Sequence, residues 1–176
     1  MTNFLRQPAV KFLLIGVLSY SVWLIIYYFL IKEYTNWDYY LDYSIVFSSH
    51  EIFGLFGVNS LIDVESDHVV LYLNEANKIG VWVGDDCNGF KLFSIFAIFI
   101  IAFPGYWRTK LWFILLGMVF IQIANIIRVM SLLMIYDSHP TFLDFNHKYT
   151  FTIFVYSIIF SLWLWWAKKY GHVKKN

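Results

Sequence analysis

The sequence predicts an all-α polytopic membrane protein with about four transmembrane helices, an extracytoplasmic amphipathic helix and a small β-hairpin segment. Three observations predict it. Of 176 residues, 60% are hydrophobic and 22% aromatic, giving a mean hydropathy of +0.60. Charged residues make up 14%, against about 25% in a soluble domain. Four stretches approach the roughly 20 apolar residues that cross a bilayer, and their flanking charges fall on alternate sides.

The first span, 12–31, carries no charge. It is longer than a signal-peptide core and lacks a small-residue cleavage site, so it reads as an anchor. The outer loop 32–86 follows. Its first half, Tyr39 to Phe56, mixes apolar residues with Asp42, His50 and Glu51. That pattern predicts an amphipathic helix lying on the outer surface, because a fifth span there would scramble the charge topology. Three alternating runs come next, Leu61 to Val64, His68 to Leu73 and Ile79 to Val83. Asn74 to Asn77 reads as a hairpin turn between the last two. The second span, 87–103, starts at Cys87, bears Lys91 near its start and ends before Pro104-Gly105. The third, 110–136, contains Arg128, and the fourth, 149–167, stops at Lys168-Lys169. No repeat or Pro/Gly/Ser-rich linker interrupts the chain, which reads as a single membrane domain, 1–176.

Charge gives the chain a direction. Arg6, Lys11, Arg108, Lys110, Lys168, Lys169, Lys174 and Lys175 cluster on one side, which the positive-inside rule makes cytoplasmic. Only Lys32, Lys78 and Lys148 lie in the opposite loops, together with all twelve acidic residues. Both termini are therefore expected in the cytoplasm of a prokaryotic cell, with the protein in its inner membrane. Tyr27, Tyr28, Trp107, Trp112, Trp163 and Trp166 sit near span ends, as interfacial aromatics do.

Composition also excludes. A net charge of +1 leaves no basic face for nucleic acid. One cysteine excludes an intramolecular disulfide, a CxxC pair and a cysteine zinc site. His50-Glu51 begins an HExxH pattern, but Gly54 takes the second histidine position. No Gly-x-Ser-x-Gly run lies in a span, and no span holds the carboxylate a proton-coupled transporter needs. No metal or cofactor is expected.

Three residues carry chemistry. Arg128 lies in Gln122-Ile-Ala-Asn-Ile-Ile-Arg-Val-Met-Ser131, roughly 12 Å below the outer helix end at Tyr136. A guanidinium keeps its proton, so inside a membrane it needs water, a partner or a substrate. Gln122, Asn125, Arg128 and Ser131 recur every third residue as a polar stripe. The ordinary alternative is snorkelling, or pairing with Asp137 or Asp144. Cys87 lies in Gly84-Asp-Asp-Cys-Asn-Gly-Phe90, where strand meets helix. The helix dipole and Lys91 favour its thiolate, while Asp85 and Asp86 oppose it. Taken alone, such a cysteine is more often a small buried hydrophobe. His147 opens the last span, with Asp144 three residues earlier to hold a ring nitrogen. Its imidazole can give or take a proton near neutrality, although most loop histidines do neither. All three residues fall at the outer-leaflet level on three different spans. A nucleophile, a fixed cation and a proton carrier at one depth suit acyl transfer through a thioester.

A strand segment ending in Cys87-Asn88-Gly89, then Asn125-x-x-Arg128 in a later span, then His147 at the last span, resembles the exosortase/archaeosortase family. The resemblance runs from about Val69 to Ser157, and the short chain is similar to the compact F-type members. It implies a polytopic cysteine transpeptidase acting on exported proteins whose C-terminal tag joins a short motif, a hydrophobic span and a basic tail. It maps the nucleophile to Cys87, the essential arginine to Arg128 and the histidine to His147. Asn88, Lys91, Asn125 and Asp144 support them. The family often has Cys-Ser-Gly where this chain has Cys87-Asn88-Gly89.

The expected function is thus an outer-face cysteine protease or transpeptidase, with Arg128 stabilising the oxyanion or gripping substrate. The competing class is a non-catalytic assembly or export subunit whose Arg128 pairs with a partner helix. The shared outer face is testable. Reporter fusions at Lys78 and Asp137 should read extracytoplasmic and one at Trp107 cytoplasmic; any other pattern separates Cys87 from His147.

Overall fold

A computed structural model describes residues 7–65, 68–73, 79–84, 87–103 and 105–170. The expected turn at Asn74 to Asn77, and Asp85 and Asp86, lie outside the described residues. Helices dominate, and the chain divides into two compact units. One comprises Met1–Thr35, Lys91–Val119 and Ile159–Asn176; the other comprises Asn36–Phe90 and Phe120–Ile158.

Helix α1, Pro8–Ile26, starts with proline in its first turn, where no amide hydrogen is missed. It continues through a π-helical turn, Tyr27–Ile31, and a last helical turn, Lys32–Tyr34. Leu13, Val17, Leu18, Val22 and Ile25 are all exposed around it, the surface of a helix in lipid rather than water. Helices α3, Phe90–Ala102, and α4, Trp107–Ser138, follow the sheet region described below, and α5 is Phe151–Tyr170. Among the described residues, three helical runs are long and apolar enough to cross a membrane: Val10–Tyr34, Trp107–Ser138 and Pro140–Tyr170.

The second expected span comes out shorter than 87–103. Residues Cys87 to Gly89 form a turn, so α3 has 13 residues. At 1.5 Å each that is about 20 Å, less than the ~30 Å hydrocarbon core. In the first unit Phe12 packs edge-on against Phe99 and Phe103 of α3, with centroids 5.2 and 5.5 Å apart. Gly117 of α4 lies under Phe96, where any Cβ would collide with the ring. A small residue at that contact lets two membrane helices approach. Lys110 is buried in the same unit and donates from Nζ to the Ile101 carbonyl at 2.7 Å, capping the end of α3.

The second unit is built on helix α2, Trp37–Leu55, and a three-stranded sheet. Buried residues Asp42, Ile45, Val46, Ser49 and Phe53 recur at three- and four-residue steps as one stripe. A helix stands where one was expected at 39–56, but Trp37, Tyr40, Tyr43 and Phe47 are exposed on it, so its outer face is apolar rather than polar. Strands β1 (Ser60–Glu65), β2 (His68–Leu73) and β3 (Ile79–Val83) pair antiparallel in the order β1-β2-β3. Ser60 faces Leu73 in one ladder; Val69 faces Val83 and Leu73 faces Ile79 in the other. Alternation divides the sheet into two faces. Val69, Leu71 and Val83 enter a core with Ile45, Val46 and Phe53 of α2 and Val129 and Leu133 of α4. His68, Tyr72, Gly80 and Trp82 take the other face. Cys87 packs against that same core, which fixes the end of β3 relative to α2 and α4.

Candidate active site

Cys87 stands at the end of a tight turn. Its N–H and that of Asn88 both donate to the Gly84 carbonyl, at 2.7 and 3.1 Å. Gly89 has φ +83, a left-handed conformation that other residues enter at a cost. Asn88 is fully buried and ties the turn at both ends. Its Oδ1 accepts the Phe90 N–H at 3.0 Å, closing an Asx turn that leads into α3, and its Nδ2 donates to Asp38 Oδ1 of α2 at 2.7 Å. Asparagine and serine side chains both close such two-residue turns, serine more weakly. Asn88 in place of the serine common in the resembling family therefore keeps the helix start intact.

His147 reaches the thiol from the opposite direction in sequence. After α4 the chain passes through a 3₁₀ turn at Pro140–Phe142, a helical turn at Leu143–Phe145 and a π turn at Asn146–Thr150 before α5. Single π turns are frequent at functional sites because they displace a residue from regular helix. Here the turn contains His147, and its Nε2 lies 3.3 Å from Cys87 Sγ. A thiol and an imidazole 60 residues apart in sequence thus meet at hydrogen-bonding distance for sulfur.

Arg128 is 6% exposed. Its Nη2 donates to the His147 carbonyl at 3.5 Å, and the Thr152 hydroxyl donates to the same oxygen at 3.3 Å. Neither Asp137 nor Asp144, the carboxylates considered from sequence, pairs with it among the described residues. The stripe faces the interior as its spacing implies. Gln122 Nε2 donates to Ser44 of α2 at 3.0 Å, Asn125 is fully buried and Ser131 is half-buried. Among the described residues, both amide atoms of Asn125, Gln122 Oε1 and Arg128 Nε lack a hydrogen-bond partner. A buried unsatisfied polar group costs about 1–3 kcal/mol, so packing alone does not account for this stripe.

A cavity of about 650 Å³ opens beside the thiol. Gly80, Val81, Trp82 and Gly84 form one wall with His68; Leu132, Tyr136, Leu143 and Asp144 form the other, and Cys87 and His147 sit between them. Asp144 is an exposed part of that wall and, among the described residues, forms no hydrogen bond to the His147 ring. Arg128 is not among the residues that line the cavity; its contact is with the His147 carbonyl. Lys91 belongs to the other unit, where its ammonium lies over the Tyr27 ring, 5.9 Å from the centroid. Trp82, Tyr136 and Leu132 went unnoticed in the sequence. The signals were present, since Leu132 and Tyr136 share a helix face at four-residue spacing and Trp82 alternates with core valines.

The fold and the site define a polytopic α-helical membrane protein with a thiol and an imidazole paired in the lining of a cavity. The transmembrane exosortase family (Exosortase_EpsH) matches residues 7–165, and the chain belongs to that family. Membership carries a membrane transpeptidase-like role in general. No curated protein matches the chain, and no solved structure does.

The Asn88 turn gives a prediction separable from chemistry. Asn88→Ala removes two buried hydrogen bonds, to the Phe90 N–H and to Asp38, and should cost about 1–3 kcal/mol. Asn88→Ser should recover most of it. Thermal unfolding of the two detergent-solubilised variants measures the difference.

Proposed function

We propose that the protein is a cysteine transpeptidase or protease that cleaves C-terminal sorting signals of exported proteins at the outer face of the cytoplasmic membrane. The observation that carries this reading is the 3.3 Å contact between Cys87 Sγ and His147 Nε2 at a cavity large enough for a peptide. The Cys87 proton passes to His147 Nε2 as sulfur attacks the scissile carbonyl carbon. The tetrahedral oxyanion collapses, the C–N bond breaks, and His147 returns the proton to the leaving amine. Water or an amine acceptor then attacks the thioester, with His147 taking its proton and the thiol leaving.

The substrates are exported proteins bearing a short motif, a hydrophobic span and a basic tail, as the family resemblance implies, and the short chain is in keeping with the compact F-type members. The lipid bilayer holds enzyme and substrate span together. The geometry favours a positioning role for Arg128 over direct contact with the oxyanion. Its guanidinium holds the carbonyl of the π turn that carries His147, while the His147 ring faces the thiol. Asn125 lies one turn away on the same buried stripe, and the uncompensated cost of that stripe supports a role beyond packing.

Two predictions follow from these roles. Cys87→Ala should abolish processing of a tagged exported protein while membrane abundance stays normal. The hydroxylamine-sensitive adduct should vanish with it, since the chain has no other cysteine. Retained processing rejects thiol chemistry. Arg128→Lys keeps the charge but loses the planar fork that grips a carbonyl. Misplacing a reacting group by about 1 Å can cost ~10²-fold in rate. The lysine variant should therefore be as abundant as wild type yet slower by about that factor, close to Arg128→Ala. Full activity in Arg128→Lys reduces Arg128 to a structural charge.

A further inference from the structure

The wall of the cavity beside Cys87 is a strand edge. In the sheet order β1-β2-β3, β3 pairs with β2 on one side, and among the described residues no strand pairs with its other side. Gly80, Val81 and Trp82 all line the cavity. Consecutive strand residues point to opposite faces, so a cavity that touches all three wraps around the edge of β3 rather than resting on one face. Along an unpaired edge, backbone N–H and C=O groups project outward and accept an extended chain. His147, Tyr136 and Leu143 line the same cavity, so an extended chain beside the β3 edge shares it with the imidazole and the thiol.

Direction follows from chain order. β3 runs from Ile79 to Val83, and the Gly84 carbonyl then holds the Cys87 N–H at 2.7 Å. A chain lying beside β3 and moving the same way arrives at the thiol. A chain moving the opposite way meets the thiol before it meets β3. In the first case the residues before the scissile bond lie on the strand; in the second, those after it do. A substrate whose following residues form a membrane span is suited to the first arrangement.

We propose that the open edge of β3 is the substrate-binding edge of the enzyme. The extended segment preceding the scissile bond adds to the sheet as a fourth strand, parallel to β3, and presents its last carbonyl to Cys87. Backbone hydrogen bonds supply affinity largely independent of sequence. Alternate substrate side chains meet Trp82 on the outer face of the sheet and Val81 on the core face, which is where selection among motifs operates. The proposal rests on the thioester reading above and adds how the substrate is held.

Disulfide cross-linking tests it. A Cys87→Ala, Trp82→Cys protein carries one cysteine beside the β3 edge and no nucleophile. It is co-expressed with an exported protein bearing the motif, span and basic tail, in which single cysteines replace each residue on both sides of the cleaved bond in turn. Strand addition gives cross-links at alternate positions before the bond. Cross-links of equal yield at every position, or confined to residues after the bond, overturn it, as does their absence. Val81 lies on β3 next to Trp82 and also lines the cavity, so Cys87→Ala, Val81→Cys provides a second scan that leaves Trp82 in place, with the same two-residue period expected but shifted by one residue. Processing by Cys87→Ala alone is scored in parallel. Continued cleavage there overturns the thioester reading, whereas lost cleavage with an aperiodic cross-link pattern overturns strand addition alone.

Discussion

The contact between Cys87 Sγ and His147 Nε2 joins two turns that would otherwise have no reason to meet, and most of the second unit is arranged around it. Neither residue sits in a regular element. Cys87 follows a glycine-bounded turn after β3, and His147 occupies a π turn before α5. Turns are held by what surrounds them, and each of these is held from two sides. Asn88 pins the first to α2 and to the start of α3; Arg128 and Thr152 share the carbonyl of the second.

This arrangement explains why a membrane protein of this size keeps a sheet. The three strands bury Val69, Leu71 and Val83 against α2 and α4, so the end of β3 is as fixed as the core itself. A loop of comparable length would leave the thiol free to move, and acyl transfer is sensitive to displacements of about an ångström. The same strand then serves a second purpose, because its open edge forms a wall of the cavity. The polar stripe on α4 has the opposite character. Asn125 and Arg128 are buried with unpaired atoms among the described residues, a cost in stability that accompanies a charge placed to hold one backbone carbonyl.

Much of this was legible in the sequence, and the exceptions share a cause. Positive-inside charge counting expected Cys87 and His147 on one side, and they are in contact. The stripe Gln122, Asn125, Arg128 faces inward as its period requires, and alternation marked all three strands. What escaped was geometry that depends on backbone rather than side-chain type. Carboxylates were considered for Arg128, but a carbonyl has no signature in sequence. Asp144, three residues before His147, was expected to hold a ring nitrogen. The chain instead changes from 3₁₀ to α to π across those residues, and Asp144 ends up on the cavity wall. The second span was drawn from Cys87, whereas Cys87 to Gly89 form a turn and the helix begins at Phe90.

The account stands on His147 acting on Cys87, and the most direct measurement is the rate at which the thiol reacts. Alkylation of Cys87 by iodoacetamide at neutral pH, followed in detergent-solubilised protein, compares wild type with His147→Ala at equal folded fraction. Imidazole-assisted deprotonation makes the wild-type thiol react at least about tenfold faster, a conservative floor beneath the ~10²–10⁴-fold typical of general acid–base catalysis. Equal rates in the two proteins would contradict the account, leaving the thiol and imidazole as neighbours without a shared proton.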